Sequence, residues 1–415
     1  GPDDVNTVKF KDFFITHHLL RLDQNSHVQP HVDGDIMITF NGELYNEDIE
    51  ISECQYMIDG YRDEGISFFK KLDGEFCIVL IDHTLQLAFI ITDDFRTKPI
   101  FYSLDAGFSF SSYECFLKDL ELDDITEPDC GEIITICLES YSVINKEKLY
   151  EFDLTQTKDS FDDWLEAFSE SIRKRTDPKK GSGIFIGLSS GYDSGAIAHE
   201  AFKQGVKFNT YSVLGTETPH IIENRVNLIQ SDNITCRGWH KEPRLESLAI
   251  NHIRENTENK NYHITSSIGD YVETTRMDED NGCKWLVTVC QSARHEGDMI
   301  TLSGMGGDEL FSDYGFDGNR MYAHSNFGGK FPDDLSEIFP WNSFYNSSMK
   351  SYIMKEEYVG GSFGIETRYP FLDRAVVQEF LWLTPELKNS KYKSVLDEYL
   401  TKNDVSFESA VKKGF

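Results

Sequence analysis

The sequence predicts two domains: an α+β sandwich over residues 1–150, and an α/β domain with a doubly wound parallel sheet over residues 151–415. A chain of 415 residues is long for a single hydrophobic core. Its first third contains short apolar segments separated by turn residues. Beyond that third, apolar strand segments alternate with amphipathic helical segments, which is the pattern of a parallel sheet covered by helices.

Strands dominate the first domain. Two of them are apolar on both faces, which favours a packed sandwich. The predicted strands cover residues 35–40, 76–81, 87–91 and 132–137. Residues 146–158 have weak periodicity and mixed charge, so the domain boundary is placed there.

Helices and strands alternate in the second domain. The first helix is predicted to start at Ser160, and one of its faces is apolar and is expected in the core. That face carries Phe161, Trp164, Leu165, Phe168 and Ile172. A later helix over residues 284–296 leads into a strand that ends at Leu302. After Tyr314 the pattern is helical and rich in aromatic residues.

The segment 183–195, GIFIGLSSGYDSG, is the most informative in the chain. It is predicted to form a buried strand, a turn of small residues and a helix. Small residues let backbone N–H groups approach an anion, and the helix N-terminus adds its positive dipole end. Because an acid in a phosphate cradle is repulsive unless it holds a metal ion, Asp193 favours a magnesium–nucleotide site. The Walker A lysine is absent, so the turn suits enzymes that hold pyrophosphate and cleave ATP to AMP. A plain strand–helix connection is the alternative.

A second loop repeats this arrangement. Residues 298–302 predict another buried strand, and SGMGGDELF follows over residues 303–311. Turns at the carboxyl ends of parallel strands face one crevice, so Asp193 and Asp308 are placed to share one magnesium ion. The alternative for Asp308 is an acid in the first turn of an ordinary helix.

Composition limits the partners. The net charge of −31 argues against nucleic acid and anionic membranes as partners, and solubility or adaptation to a salty environment explains the acidity without a ligand. Eight cysteines without paired spacing are expected to be reduced thiols of a cytoplasmic protein. No apolar run approaches the roughly 18 residues of a membrane span.

With these loops in place, the chain resembles the asparagine synthetase and β-lactam synthetase family. Two further segments of the second domain match it: residues 364–373, GIETRYPFLD, and residues 393–396, KSVL. In the first domain, NGELYN at 41–46, DGEF at 73–76 and KPIFY at 98–102 follow the order of the family's glutaminase domain. The resemblance covers nearly the whole chain. It implies an Ntn-hydrolase-like first domain and an ATP-pyrophosphatase-type synthetase domain.

The resemblance also implies a reaction. The family adenylates a carboxylate with ATP and Mg²⁺, releases pyrophosphate, and lets ammonia or an amine displace AMP. Asp193 and Asp308 would be the metal ligands, and Lys393 would stabilise the developing charge, with Lys391 left open. The nucleotide and pyrophosphate would contact Leu188, Ser189, Gly191, Asp193, Ser194, Val213, Ser303 and Gly304.

Two positions in the second domain depart from the family pattern. Ser190 replaces a glycine, which is tolerated only if its φ is negative. Met305 stands where asparagine synthetases carry Glu and β-lactam synthetases carry Tyr, and a thioether cannot manage the proton of the amine. Glu366 is then the remaining candidate base, although a structural ion pair with Arg368 is an equal alternative. Met305 is also compatible with a larger or apolar acceptor.

The glutaminase pocket departs further. The family starts this domain with a nucleophilic Cys, whereas this chain starts with GPDD. That segment resembles the family's internal RGPD, so we expect the first strand and any nucleophile upstream; a tag scar is the alternative. His18 stands in place of an Arg clamp and Glu53 in place of an Asp, while the pocket residues Asn41, Gly42 and Glu43 are retained. A degenerate, structural glutaminase domain is expected. The last residues, 412–415, look like a family motif that is cut short.

The function expected from this resemblance is AMP-forming amide synthesis from a small carboxylate and ammonia, an amine or glutamine. An ordinary glutamine-hydrolysing asparagine synthetase, with its Cys upstream, is one alternative. A nucleotide-binding pseudoenzyme is another. The sequence does not give the oligomeric state, and a homodimer stays open.

Overall fold

The computed structural model describes residues 2–22, 27–46, 49, 52–181, 183–215, 217–230, 234–266 and 271–413. The chain divides into two compact units, Gly1–Glu151 and Phe152–Phe415. Gly1, Gly414 and Phe415, to which the expectations about the chain ends refer, lie outside the described residues.

The first unit is mainly β-structure. Its strands are β1 (Asp4–Phe10), β2 (Phe13–Leu19), β3 (His31–Asp33), β4 (Ile36–Leu44), β5 (Gly74–Asp82), β6 (Leu87–Thr92), β7 (Phe101–Ser103), β8 (Ser109–Ser111), β9 (Glu132–Cys137) and β10 (Ser142–Lys148). Its helices are α1 (Glu53–Glu64), a 3₁₀ helix (Gly65–Lys71) and α2 (Glu114–Asp119). Within the described residues, six strands form an antiparallel sheet in the order β10-β9-β6-β5-β4-β3.

Both faces of this sheet are buried. Along β5, Ile78 and Leu80 belong to the core that includes α1, whereas Val79 and Ile81 belong to the core on the opposite face. Side chains alternate between faces along a strand, so an apolar run of this kind can fill two cores. The four strands predicted from the sequence are confirmed as β4, β5, β6 and β9.

The second unit mixes helices with short strands. Its helices are α3 (Asp162–Arg175), α4 (Tyr192–Lys203), α5 (Pro219–Ile229), α6 (Pro243–Asn256), α7 (Asn281–Glu296), α8 (Gly307–Phe311), α9 (Asn342–Tyr345), α10 (Ser347–Ser362), α11 (Arg374–Trp382), α12 (Pro385–Lys388) and α13 (Ser394–Lys402), with 3₁₀ turns at Pro178–Lys180, Leu335–Glu337 and Pro370–Leu372. Its strands are β11 (Ile184–Gly187), β12 (Phe208–Leu214), β13 (Cys236–His240), β14 (Asn261–Thr265), β15 (Val272–Arg276), β16 (Ile300–Leu302), β17 (Gly315–Phe316), β18 (Asn319–Arg320) and β19 (Glu366–Arg368).

The expected parallel sheet is present in this unit. Five of its described strands pair in parallel in the order β13-β12-β11-β16-β19. From β11 the chain first adds β12 and β13 on one side and then adds β16 and β19 on the other. The strand order therefore reverses between β11 and β16. Helix α4 packs against β11, and helix α7 packs against β12. Ligands of open α/β sheets bind at such a reversal, beyond the carboxyl ends of the strands.

Two local expectations need adjustment. The helix predicted from Ser160 begins at Asp162, whose N–H donates to Ser160 Oγ at 3.1 Å. The predicted helical structure after Tyr314 is found only from Asn342 onward, because residues 315–341 form a short hairpin, loops and one 3₁₀ turn. Gly315 packs there against the backbone of Gly328. Phe168 is fully buried, as expected for the apolar face of α3.

All eight cysteines fall in the described residues and carry free thiols. None of the helices in the described ranges combines the length and the hydrophobicity that a membrane-spanning helix requires.

Candidate active site

A cleft opens at the carboxyl ends of β11 and β16. The two strands are neighbours, with Ile186 opposite Leu302. The loops that follow, residues 188–194 and 303–309, therefore leave the sheet at the same edge. The cleft has a volume of about 170 Å³. Its walls include Ser189, Asp193, Ser194, Ser303, Gly304, Met305 and Asp308 from these loops, and Leu286, Val289, Cys290, Tyr352 and Glu356 from α7 and α10.

The first loop is folded back on itself by its own hydroxyl groups. The N–H of Ser189 donates to Ser194 Oγ at 3.0 Å, and the N–H of Gly191 donates to Ser189 Oγ at 3.1 Å. Gly191 is the N-cap of α4, so Asp193 lies in the first turn of that helix. This turn gives the small-residue approach and the positive helix end that the sequence predicts for an anion site.

Two charged residues that the sequence did not single out support this loop. Arg225 donates from Nη1 to the carbonyl oxygens of Ser189 and Gly191 at 2.6 and 2.7 Å. The N–H of Ser190 donates to Glu217 Oε2 at 2.6 Å, and the Ser190 hydroxyl contacts the same oxygen. Ser190 does not adopt a positive φ, so the replacement of glycine at this position is tolerated.

Asp193 and Asp308 converge on one position. Lys393 Nζ lies 2.7 Å from Asp193 Oδ1 and 2.8 Å from Asp308 Oδ1, and its side chain is only 2% exposed. Lys412 Nζ contacts the second oxygen of Asp308. The hydroxyl of Tyr392 donates to Asp308 Oδ1 at 3.0 Å. The structure thus brings the two predicted metal ligands together around a cation.

The charges of this cluster depend on one another. Burial acts to raise the pKa of Asp308, but Lys393 and Lys412 outweigh it and hold that pKa below its usual value. Burial raises the pKa of Asp193, with Lys393 acting in the opposite direction. Burial would lower the pKa of Lys393, yet Asp193 and Asp308 raise it, so this ammonium stays charged. Removing any cation from the cluster would leave a buried, uncompensated carboxylate.

The carboxylate pair fits a magnesium ion. Carboxylate oxygens are hard ligands, and Mg²⁺ in proteins is commonly held by one or two carboxylates together with substrate phosphates and water. Across the described parts of the chain there is no group of three or more side chains that could hold a metal by themselves. A magnesium ion here would therefore depend on phosphate oxygens as well as on Asp193 and Asp308.

Glu356, on α10, reaches the inner part of the cleft. Its Oε2 atom is buried and has no hydrogen-bond partner among the described residues, while its carboxyl is also hydrogen-bonded to Ser303. Burial raises the pKa of Glu356 to about 7. No sequence pattern distinguishes this acid from Glu357 beside it, because only the docking of α10 against the sheet brings it to the cleft. Met305 lines the same cleft and is 8% exposed.

The structure does not bring Glu366 to the cleft. Glu366 lies opposite Ile300, at the amino end of β19, whereas the cleft is at the carboxyl ends of the strands. Its Oε1 atom accepts a hydrogen bond from Arg368 Nε at 2.8 Å. The ion-pair alternative for Glu366 is therefore the arrangement that the structure has.

Of the remaining predicted residues of the second unit, some face the carboxylate pair and others lie outside the cleft. Lys391 is paired with Asp397 at 2.6 Å and is half exposed, so Lys393 alone of the two faces the carboxylate pair. Leu188 and Val213 are buried at strand ends and do not line this cleft.

In the first unit, the predicted glutamine-pocket residues come together only in part. Glu53 Oε1 accepts the N–H of Leu44 at 3.2 Å, which places it at the end of β4 with Asn41, Gly42 and Glu43. Gly42 has a φ of 128°, and a Cβ there would lie 1.8 Å from the carbonyl oxygen of Glu75, so glycine is required.

His18 points away from this group. It is on the exposed face of β2, whereas its neighbour His17 lies with Nδ1 3.1 Å from Thr39 Oγ1 on β4. Burial lowers the pKa of His17 to about 4. Because side chains alternate between faces along a strand, β2 directs His17, and not His18, toward β4.

Neither buried cysteine of this region is an activated nucleophile. Burial raises the pKa of Cys54 and that of Cys77. A thiol of this kind stays protonated at neutral pH, and the thiolate is the reactive form.

Comparison with known proteins gives consistent relatives. A model described as a glutamine amidotransferase domain matches residues 16–119. A glutamine-hydrolysing asparagine synthetase of Zea mays is 23% identical over 93% of this chain and 65% of its own length. Asparagine synthetase 2 of Bacillus subtilis is 23% identical over 97% and 65%, and a putative asparagine synthetase of Methanocaldococcus jannaschii is 24% identical over 94% and 72%. The chain thus spans about two thirds of the length of these curated relatives.

Two solved structures show weak likeness. The glutamine phosphoribosylpyrophosphate amidotransferase of B. subtilis has a TM-score of 0.29 and 8% identity, covering 91% of this chain and 82% of its own. The NMN synthetase of Francisella tularensis has a TM-score of 0.27 and 11% identity, covering 62% of this chain and 100% of its own.

Gly307→Ala tests the close fit around Asp193. A Cβ at Gly307 would lie 2.1 Å from Asp193 Oδ1, so the carboxylate must move while its charge is retained. We expect magnesium-dependent ATP binding, measured by calorimetry, to weaken by about tenfold or more. Gly238→Ala is the control, because its Cβ would meet Leu214 at an ordinary 3.4 Å. Equal affinity in the two variants would contradict the placement of the metal at Asp193.

Proposed function

We propose that the chain is a member of the asparagine synthetase family and that it forms amide bonds in an ATP-dependent, AMP-forming reaction. A substrate carboxylate is first adenylated, and ammonia or an amine then displaces AMP. The observation that carries the proposal is the convergence of Asp193 and Asp308 on one cation position beside a loop of small residues. This arrangement suits a magnesium-bound pyrophosphate leaving group.

Adenylation requires that the cleft stabilise the negative charge of the pyrophosphate leaving group. A carboxylate oxygen of the substrate attacks the α-phosphorus, the bond to the bridging oxygen of the β-phosphate breaks, and pyrophosphate leaves. Asp193 and Asp308 would hold a magnesium ion, which supplies positive charge to the phosphate oxygens when bound. The N-terminus of α4 presents N–H groups to the same anion. Lys393 contacts both carboxylates, and in this proposal its ammonium stabilises the negative charge that develops on the leaving oxygen.

The second half-reaction must dispose of a proton. The nitrogen attacks the acyl carbon, the bond to AMP breaks, and the attacking nitrogen loses a proton. Met305 offers no basic atom, and Glu366 is paired with Arg368 away from the cleft. Within the described parts of the chain, one carboxyl oxygen of Glu356 has no hydrogen-bond partner. Burial raises the pKa of Glu356 to about 7, which is the range a general base needs near neutral pH. We therefore assign proton acceptance to Glu356.

Glutamine is a second candidate source of the nitrogen. The glutamine amidotransferase match over residues 16–119 and the retained residues Asn41 and Gly42 near the end of β4 favour it. Glutamine hydrolysis also needs a nucleophile, and burial raises the pKa of both Cys54 and Cys77. His18, which stands in place of the family's Arg clamp, is exposed on β2. We propose ammonia or a substrate amine as the nitrogen source, with glutamine as the alternative.

Product analysis tests the proposed reaction. Magnesium–ATP is incubated with L-aspartate and other small carboxylates, with ammonia, amines or glutamine added in turn. We expect AMP and pyrophosphate in equal amounts, and only when a suitable carboxylate is present. Formation of ADP and phosphate would contradict the proposal. Thermal stabilisation by magnesium–ATP without any turnover across the carboxylates would instead indicate a nucleotide-binding pseudoenzyme.

Glu356→Gln tests the proton acceptor, with Glu366→Gln as the matched comparison. The wild-type kcat is expected to rise with pH through about 7, because Glu356 accepts a proton only as the carboxylate. Glu356→Gln should lower kcat by about a hundredfold and remove this pH dependence, whereas Glu366→Gln should keep it.

A folding control accompanies this comparison. Because the pKa of Glu356 is raised in the folded protein, its contribution to stability is present at low pH and is lost as the pH rises through about 7. Glu356→Gln should therefore unfold at no lower temperature than the wild type above that pH. If Glu366→Gln alone lost the pH dependence, the assignment to Glu356 would be wrong.

A further inference from the structure

The residues that line the cleft differ in charge between its two ends. One end is formed by the two loops, and the cations of the cleft lie there. Within the described parts of the chain, the cations that line the cleft are Lys412 and Lys413. Lys412 contacts Asp308, and the carbonyl oxygen of Lys413 would lie 2.6 Å from a Cβ on Gly191. Because Lys393 also lies between the two loop carboxylates, the positive charge is concentrated at the end proposed for the phosphates.

The other end, here termed the inner cleft, is bounded by the sheet and by helices α7 and α10. Its residues are Phe185, Leu286, Val289, Met305, Glu309 and Glu356. Four of these six are apolar, and the two others are acids. Among the described residues, no arginine lines the cleft, and neither lysine of the cleft belongs to this end. The inner cleft therefore combines apolar walls with negative charge.

The two acids of the inner cleft act on each other. Glu309 Oε2 accepts the N–H of Gly306 at 3.2 Å, and the hydroxyl of Tyr314 contacts its other carboxyl oxygen. Burial is the main cause of the raised pKa of Glu356, and the negative charges of Glu357 and Glu309 add to it. Glu309 and Glu356 are thus close enough for an anion placed beside one of them to be repelled by both.

Lys355, the cation beside Glu356 in the sequence, is directed elsewhere. Its Nζ atom lies 3.6 Å from Asp280 Oδ1 and 4.1 Å from the centroid of the Tyr352 ring. Lys355 does not line the cleft. A substrate in the inner cleft would therefore meet the carboxyl of Glu356 and not this ammonium.

The reaction fixes which part of the acyl substrate enters the inner cleft. The reacting carboxylate must reach the α-phosphorus at the phosphate end, so the rest of the molecule extends toward Glu309 and Glu356. A second carboxylate there would lose its hydration without gaining a cation, and an unpaired buried charge is costly. It would also raise the pKa of Glu356 further and keep this proposed proton acceptor protonated. An apolar group or an amino group meets neither penalty.

We infer that the acyl substrate is a carboxylic acid whose remaining part is apolar or carries an amino group, and that the inner cleft rejects a second carboxylate. This inference rests on the proposed function and narrows its substrate class. Dicarboxylates such as succinate, and L-aspartate with its second carboxylate, are then poor substrates. The apolar side chain of Met305 belongs to the surface that an apolar substrate would contact.

The exchange of labelled pyrophosphate into ATP tests this inference, because it reports adenylation alone and needs no nitrogen substrate. Acids of matched length are compared: butyrate, 4-aminobutyrate and succinate with four carbons, and hexanoate, 6-aminohexanoate and adipate with six. L-aspartate is included. We expect kcat/KM for the best monocarboxylate or amino acid of a length to exceed that of the dicarboxylate by about tenfold or more.

Glu356→Gln and Glu357→Gln form a matched pair of variants for the same assay. Both remove one negative charge from α10, but Glu357 accepts the Tyr369 hydroxyl at 2.9 Å and does not line the cleft. Adenylation does not use the proton acceptor, so the exchange stays measurable in Glu356→Gln. We expect Glu356→Gln to reduce the discrimination against dicarboxylates several-fold, whereas Glu357→Gln should keep the wild-type discrimination.

The outcomes separate the inference from the proposed function. A wild-type preference for succinate, adipate or L-aspartate would overturn the inference and leave the proposed function standing. Unchanged discrimination in Glu356→Gln, or an equal loss of exchange with every acid, would also overturn it, because the charge of Glu356 would then not select the substrate. Absence of carboxylate-dependent exchange with all of the acids would instead count against the proposed function.

Discussion

The buried carboxylates of Asp193 and Asp308 repel each other, and the ammonium of Lys393 compensates this repulsion. The geometry of the cleft in the second unit depends on this balance of charges. Two buried carboxylates directed at one point are unfavourable unless a cation lies between them. Lys393 supplies that cation from a residue with a φ of 47°, a conformation uncommon for a residue with a side chain. Backbone outliers of this kind persist where surrounding structure holds them and are frequent at functional sites. Two carboxylates that need a neighbouring cation can also accept a magnesium ion that binds together with a nucleotide.

The sheet and its glycines make this convergence possible. The reversal of strand order between β11 and β16 places two loops that are more than one hundred residues apart side by side. Gly304 and Gly307 then allow the second loop to approach Asp193, because a Cβ at either position would lie within 3 Å of that side chain. Arg225 holds the first loop in place by donating hydrogen bonds to its carbonyl groups. The chemistry proposed for the cleft thus follows from strand order and from close backbone approach.

Sequence reasoning succeeded where the signal was local. The sequence predicts that Asp193 and Asp308 lie close together because small residues and an acid follow an apolar run at each position, and the structure brings both side chains into contact with Lys393. It failed where the fold decides which residue faces the site. Glu366 lies in a strong motif, yet the direction of its strand carries it to the far end of the sheet, while Glu356 reaches the cleft from an unremarkable helical segment. His18 illustrates the same limit, since a shift of one residue along a strand reverses the face.

The most direct test of the central claim is the magnesium dependence of ATP binding in the wild type and in Asp308→Asn. The account predicts that the wild type binds ATP tightly only with magnesium, because Asp193 and Asp308 need the ion to tolerate the phosphates. It predicts that Asp308→Asn binds ATP weakly and gains little from magnesium, since one of the two carboxylate ligands is lost. An equal magnesium effect in the two proteins would contradict the account.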